Sequence, residues 1–493
     1  MKRIFLFAFL LCLLASWAWA GRFVLPRISH EPRFADTSWH LARLGLPEAQ
    51  ERACGEGVLV AVLDSGVDTD HPALAGRLRL DLARNFGDPE HPEDVEDLLG
   101  HGTAMAGLVL QAAPCARVVP LKINPGGEPT FSDEALRQAL SYTVSLADEF
   151  PELSVVVLSL TLVEENEGVA AELEALHERG VVVCAAAGNE GQGEIAFPAR
   201  HRSVLAVSAS NAYDQLAPGV NWGAALALLA PGVDVWAPFP GGYYLYLSGS
   251  SVANALVGGT LALLMEKGRA SALWALLETT RDLAEPGHDV RTGFGLPDAA
   301  RAVGAVLCAD LYSWPPSLIL APGHTVRAYF YPEDLDLCGV SGPVSARIVS
   351  PGELEVAALA EGEGTVSLCA RDDRCLGLPV TVAEEGGAVH LLSFPRVATE
   401  QAPGAVLYDL QVLAPLTAAV EVWVTTRQAD GFRRETAYAW EALSWPAGLF
   451  AGTLFDLPPG ALSPGIYEVG AVLTYPGGSC TVRTFAVRLP APQ

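Results

Sequence analysis

Lysine is nearly missing from this chain of 493 residues, occurring only at Lys2, Lys122 and Lys267. Even with arginine, the basic residues number 31 against 57 acidic ones, for a formal net charge of -26. Such a charge repels phosphate backbones and anionic lipid surfaces, so nucleic acid is not an expected partner. The sequence also lacks an internal repeat, a low-complexity tract and an apolar run long enough to span a bilayer. Its apolar stretch from Val252 to Met265 reads instead as a helix of the core. Charged residues make up only 18% of the chain and hydrophobic ones 50%, which excludes a largely disordered protein. The length exceeds what one hydrophobic core usually serves, so two or three domains are expected.

What is present begins with an export signal. Lys2 and Arg3 precede the apolar stretch Ile4 to Leu14, and Ala18-Trp19-Ala20 is a small-x-small cleavage site. Residues 1–20 are read as the signal peptide and Gly21 as the first mature residue. A membrane anchor is the rival reading, but the stretch is short and no basic stop-transfer cluster follows it. Cys12 lacks the small residues that precede a lipidated cysteine. The expectation is a free protein, extracellular or periplasmic, with no membrane anchor after cleavage. Eight cysteines then remain, an even count that suits disulfides in an oxidising compartment.

From Gly57 to Val306 apolar runs alternate with helical stretches, the pattern of an α/β fold with a mostly parallel sheet. The strand candidates are Val58 to Leu63, Arg117 to Ile123, Val155 to Leu160, Val181 to Ala186 and Val204 to Val207. Their unbroken apolar character suits strands buried on both faces. Asp133 to Glu149 reads as a helix capped by Ser132, and Ala170 to Arg179 as one closed by Gly180. After Val303 the texture changes to short strands punctuated by Pro and Gly. The expected domains are 21–307, then a small β-sandwich over 308–385 and a second over 386–493, although one sandwich would also fit.

Four residues carry the chemistry. Asp64 ends an apolar strand, at the sheet edge where open α/β folds place their sites. His101 stands in Gly100-His101-Gly102-Thr103 at the opening of a helix. Ser251 opens the apolar helix, at the positive end of its dipole. Asn189 follows a buried strand in Ala187-Gly188-Asn189. Singly, each has a bland reading as a turn, a cap or a structural histidine. Together they supply nucleophile, base, orienting carboxylate and oxyanion donor for acyl transfer.

The motifs around them resemble the subtilases, the subtilisin-like serine proteases, over about residues 32–306. Val60 to Asp68 matches the aspartate block, with His71-Pro72 following at the expected distance. Gly100 to Thr103 matches the histidine block, Ala185 to Asn189 the oxyanion block and Ser248 to Gly259 the serine block. The order Asp, His, Ser is that of subtilisin. The resemblance implies a three-layer subtilisin-like fold and a serine endopeptidase with Asp64, His101 and Ser251 as its triad. Asn189 would aid the oxyanion hole.

The resemblance also implies protein or peptide substrates, a monomer, and a cleft bordered by Ser159, Leu160, Thr161, Ala186, Ala187, Gly188, Gly126 and Gly127. No cofactor is implied. Only 21 positions separate His101 from Lys122, so the family's usual strong calcium site is expected to be absent.

The departures carry expectations too. Ser250, Val252 and Ala255 stand where the family usually has Thr, Met and Pro. Thr161 and Leu162 replace two pocket glycines, which favours small or medium side chains over Phe or Tyr at the cut site. Pro32 to Gln50 already resembles the lead-in of a catalytic domain, which leaves about ten residues where the family carries an inhibitory propeptide. The neighbouring strands of the resembled fold bring Cys54 and Cys115 within reach of a disulfide, with two buried thiols as the alternative. Pairing of Cys184, Cys308, Cys338, Cys369, Cys375 and Cys480 stays open. Two other functions compete: a catalytically silent subtilase-fold binding protein, and an acid peptidase of sedolisin type, against which His101 speaks.

Overall fold

The computed structural model describes residues 21–23, 27–29, 38–284 and 287–307, and beyond them chiefly β-strands between Tyr312 and Arg488. Residues 1–20, Pro32 to Asp36 of the lead-in and the expected boundary at 385/386 lie outside the described residues. The chain divides into two compact units. One holds the described residues up to Val303 with Arg427–Arg433, and the other Gly304–Thr426 with Arg434–Arg488.

The strands of the first unit, in chain order, are β1 (Gly21–Phe23), β2 (Arg27–Ser29), β3 (Leu59–Asp64), β4 (Arg84–Asn85), β5 (Arg117–Lys122), β6 (Thr130–Phe131) and β7 (Leu153–Leu158). There follow β8 (Leu160–Leu162), β9 (Val182–Ala186), β10 (Val204–Ser210), β11 (Leu228–Pro231), β12 (Val235–Phe239) and β13 (Tyr243–Ser248). Seven of them form one sheet in the order β11-β10-β9-β7-β3-β5-β4, with parallel pairing throughout. β3 is an interior strand, between β7 and β5, and all six of its residues are buried.

Helices cover both faces. Leu59, Ala61 and Leu63 join a core cluster with Leu136 and Leu140 of helix Asp133–Glu149 and with Leu173 of helix Glu167–Glu178. On the other face, a Cβ added at Gly258 would meet Val157 and Cys184, so helix Ser250–Met265 lies against that side. Helix His101–Ala112 packs closely enough on it that a Cβ at Gly259 would strike the Val109 carbonyl. This is the three-layer arrangement expected from the unbroken apolar strands.

Local chemistry sets the helix boundaries. Ser132 Oγ accepts from Ala135 N, with Asp133 and Glu134 in the first turn. The next helix starts at Glu167, three residues before the expected Ala170, because Asn166 Oδ1 accepts from Val169 N at 3.1 Å. The expected strand Val155 to Leu160 is two strands, β7 and β8, with buried Ser159 between them.

The second unit is built of β-strands. Asp336–Ser341, Gly362–Cys369, Cys375–Val382 and Leu318–Leu320 form one four-stranded sheet. Tyr312–Trp314, Thr325–Tyr331, Glu353–Ala358 and Val344–Ser350 form another. Leu354 and Val356 of one share a core with Val366, Leu368, Leu378 and Val380 of the other, the arrangement of a sandwich. Farther along, Leu416–Gln428 and Gly465–Tyr475 pair antiparallel around buried Val422, Trp423, Val469 and Ala471.

Two disulfides are described. Cys54 and Cys115 are joined with S–S 2.22 Å and Cα–Cα 5.0 Å, and Cys338 and Cys369 with Cα–Cα 5.8 Å. Cys184 departs from the even count: it is a free thiol, fully buried, whose pKa burial pushes up to about 12.

Candidate active site

Asp64 is the last residue of β3, and His101 the first of helix His101–Ala112. His101 Nδ1 lies 2.7 Å from Asp64 Oδ1, and each side chain is 1% exposed. A carboxylate only accepts, so Nδ1 carries a proton and donates it, with Nε2 on the far side of the ring from Asp64. Ser65 N donates to the same Oδ1 at 2.7 Å and fixes the carboxylate from its other side. Glycine is required at position 102, because a Cβ there would run into the Gly66 carbonyl and approach Asp64. The Gly-His-Gly sequence therefore allows the strand end and the helix start to touch.

A second buried carboxylate, Asp97, holds this junction. Its Oδ1 accepts from Ser65 Oγ (2.8 Å) and Gly100 N (2.7 Å), and its Oδ2 from Thr103 N (2.8 Å) and Thr103 Oγ1 (2.7 Å). Ser65 Oγ in turn accepts from Gly102 N at 2.9 Å. From three residues before the N-cap Gly100, Asp97 thus satisfies donors at the start of the helix that begins at His101 and ties it to the residue after Asp64. Burial raises its carboxyl above the usual range, against the pull of the Thr103, Gly100 and Ser65 donors.

Ser251 is the second residue of helix Ser250–Met265 and is fully buried. Its Oγ makes no hydrogen bond among the described residues, so the hydroxyl is not spent as a cap. The helix start is pinned to the end of β7, since Ser159 Oγ donates to Ser251 O (3.2 Å) and Asn254 Nδ2 donates to Leu158 O (3.3 Å).

Asn189 reaches the same helix start. Its side-chain Oδ1 accepts from Ser250 N at 3.0 Å, and because a backbone N–H can only donate, the orientation of the amide is fixed. Ser250 Oγ accepts from Gly188 N at 3.2 Å and lies within reach of Gly188 O (3.1 Å) and Asn189 Oδ1 (3.0 Å) for its own proton. A Cβ added at Gly249 would sit 2.8 Å from Asn189 Nδ2, so the amide nitrogen flanks the backbone just before Ser251. Gly188 has φ +110°, and any side chain there would meet Asn221.

The expected cleft residues separate into two groups. Ala186, Ala187 and Ser159 are buried beside the helix start, and Leu160 and Leu162 pack into the core cluster. Leu162 therefore turns into the core, away from the crowding expected of it, and Thr161 lies on the alternate side of β8. Gly126 and Gly127 lie in the bend before β6, where a Cβ at Gly126 would meet nothing within 4 Å. The strand edge beside them is Thr130–Phe131. Sequence reasoning missed Asp97, hidden in the acidic run Glu93 to Asp97, and missed Ser250 as the holder of Asn189. Six positions separate Asp97 from Thr103, twice a helix-capping distance, so no local signal pointed to it.

Comparison with known proteins agrees with this geometry. The model of the subtilase family matches residues 55–295. Subtilisin Savinase of Lederbergia lenta is 34% identical over 239 residues, covering 46% of this chain and 84% of the relative. Thermitase of Thermoactinomyces vulgaris is 29% identical over 267 residues, 51% of this chain and 91% of that protein. The alkaline protease of Shouchella clausii is 34% identical over 239 residues, 46% of this chain and 60% of its own length. With these matches spanning both the parallel sheet and the site built on its edge, the chain belongs to the subtilase family and is a serine endopeptidase.

Proposed function

We propose that Asp64, His101 and Ser251 form the catalytic triad of a secreted endopeptidase, with Asn189 completing its oxyanion hole. Ser251 Oγ attacks the peptide carbonyl and passes its proton to His101 Nε2. Asp64 holds the imidazole in the required tautomer and stabilises the imidazolium that forms. Negative charge on the tetrahedral oxygen is met by the Asn189 side-chain amide and the Ser251 backbone N–H, at the positive end of the serine helix. His101 then protonates the leaving amine, and water releases the acyl group by the same path.

The observation that carries this reading is the 2.7 Å His101–Asp64 bond between two buried side chains. The unspent Ser251 hydroxyl and the fixed Asn189 amide support it. Ser251→Ala removes the nucleophile and little volume. Its kcat should fall on the order of 10^6-fold, a magnitude measured on subtilisin itself and carried over to this relative. Circular dichroism should stay unchanged. Retained turnover would refute the triad and favour the silent binding protein.

Secretion rests on the export signal and on the Cys54–Cys115 disulfide, which suits an oxidising compartment. N-terminal sequencing of exported protein should begin at Gly21 or later. An intact Met1 on the mature protein would overturn that assignment.

A further inference from the structure

The loop that carries Asn189 is wrapped around a side chain that the catalytic scheme does not use. Asn221 lies between β10 and β11 in the chain and is 2% exposed. Its Oδ1 accepts from Glu190 N and from Gln192 N, both at 3.0 Å. Its Nδ2 donates to Ala187 O at 3.2 Å and to Glu190 Oε2 at 2.8 Å. Backbone N–H groups only donate, so the amide can be turned in one way only, and both its hydrogens and both lone pairs of its oxygen are then used. Asn221 N adds a bond to Gly188 O at 2.9 Å.

Ala187, Gly188, Glu190 and Gln192 are thus all held by one residue, and Asn189 is suspended between them. The hub is itself anchored to the sheet, because buried Ser208 of β10 donates its hydroxyl to Asn221 O at 2.7 Å. Trp222 N, next in the chain, donates to Gln192 O at 3.0 Å and closes the loop against the same segment. The space for Asn221 comes from Gly188 at φ +110°, since a Cβ there would collide with Asn221 Nδ2.

An oxyanion donor accelerates the reaction by standing in place before the charge develops, and an amide on a loop has no such rigidity of its own. Displacement of a catalytic group by about 1 Å can cost about 10^2-fold in rate. Two contacts set the aim of Asn189: Ser250 N holds its Oδ1 at 3.0 Å, and Asn221 fixes the backbone on either side of it.

We propose that Asn221 is a positioning residue for catalysis, which keeps the Asn189 amide aimed at the tetrahedral oxygen by holding the backbone of its loop. The inference rests on the oxyanion role assigned to Asn189 above. It separates Asn221 from a residue that only stabilises the fold, because its effect on rate passes through Asn189 and is felt in the transition state.

The test is a double-variant cycle of Asn221→Ala and Asn189→Ala in the full-length chain. Turnover of a peptide is counted per Ser251 titrated to completion with a serine-directed phosphonate, so that an unfolded fraction does not enter. Asn221→Ala alone should lower kcat by about 10^2-fold with KM little changed. In the Asn189→Ala background the same change should cost almost nothing further, because the donor that it positions is gone. If Asn221→Ala does not fold, Asn221→Asp keeps the acceptor for Glu190 N and Gln192 N, loses the donor to Ala187 O, and should show the same pattern with a smaller loss. An equal fold-loss in both backgrounds, a kcat like the parent's, or a change in KM alone would overturn the inference and leave the oxyanion assignment standing. An unchanged kcat in Asn189→Ala itself would instead remove that assignment, and this inference with it.

Discussion

The two units of the chain bury polar groups very differently. In the first, Asp64, Ser65, Asp97, His101, Thr103, Ser159, Ser250, Ser251 and Asn254 are all buried around the carboxyl ends of β3 and β7. In the second, the buried polar side chains among the described residues are Thr425 and Glu468, and Thr425 Oγ1 donates to Glu468 Oε2 at 2.9 Å. Both units satisfy their backbones by strand pairing. Among the described residues, only the first gathers polar side chains at one place against the cost of desolvating them, and the proposed chemistry is placed there.

Perturbing the first unit's cluster should have the largest effects. His101→Ala should lower kcat on the order of 10^6-fold and Asp64→Asn about 10^4-fold, magnitudes taken from measured triads, subtilisin among them. Steady-state kinetics on a peptide amide would show whether the two changes act as parts of one unit. A double variant no slower than His101→Ala alone is the expected result.

Next in size is the crosslink that braces the sheet around β3 and β5. Cys54 and Cys115 are 61 positions apart. Replacing both by Ala should remove roughly 4 kcal/mol of stability in the chain-entropy account. For a unit of this size that is a fall in Tm of about 8–16 °C. Differential scanning calorimetry would read it, and an unchanged Tm would mean that the link adds nothing.

Asn189→Ala should reduce kcat by about 10^2–10^3-fold with little change in KM, the range found for subtilisin's own oxyanion amide. An effect on KM alone would assign Asn189 to substrate binding instead.

The smallest effect tests the other side of the comparison. Thr425→Val leaves Glu468 without this donor and should destabilise the second unit by about 1–3 kcal/mol. Activity on a short peptide should not move. A parallel loss of kcat would show that the two units are not separable in function.

Much of the first unit was legible because its information is local. Unbroken β-branched runs place β3, β5, β9 and β10, and Ser132 and Gly180 mark helix ends through their own side-chain and backbone chemistry. What was not legible depends on long-range contact. Ser159 divides one apolar run into two strands because its hydroxyl is used 92 positions away. Asp97 sits in an acidic run that reads as a solvated face, yet it is buried by the turn that brings it to Ser65 and Thr103. The nine residues from Gly21 to Ser29 carry no periodicity long enough to announce a strand. Their pairing partners lie more than 100 residues away.

The central claim is that Ser251 is made nucleophilic by His101 and Asp64. Reaction of the purified protein with a serine-directed phosphonate, followed by intact mass and peptide mapping, tests it most directly. The account predicts one adduct per chain, on Ser251, and none in His101→Ala. An adduct on another residue, or equal labelling of the His101→Ala variant, would contradict it.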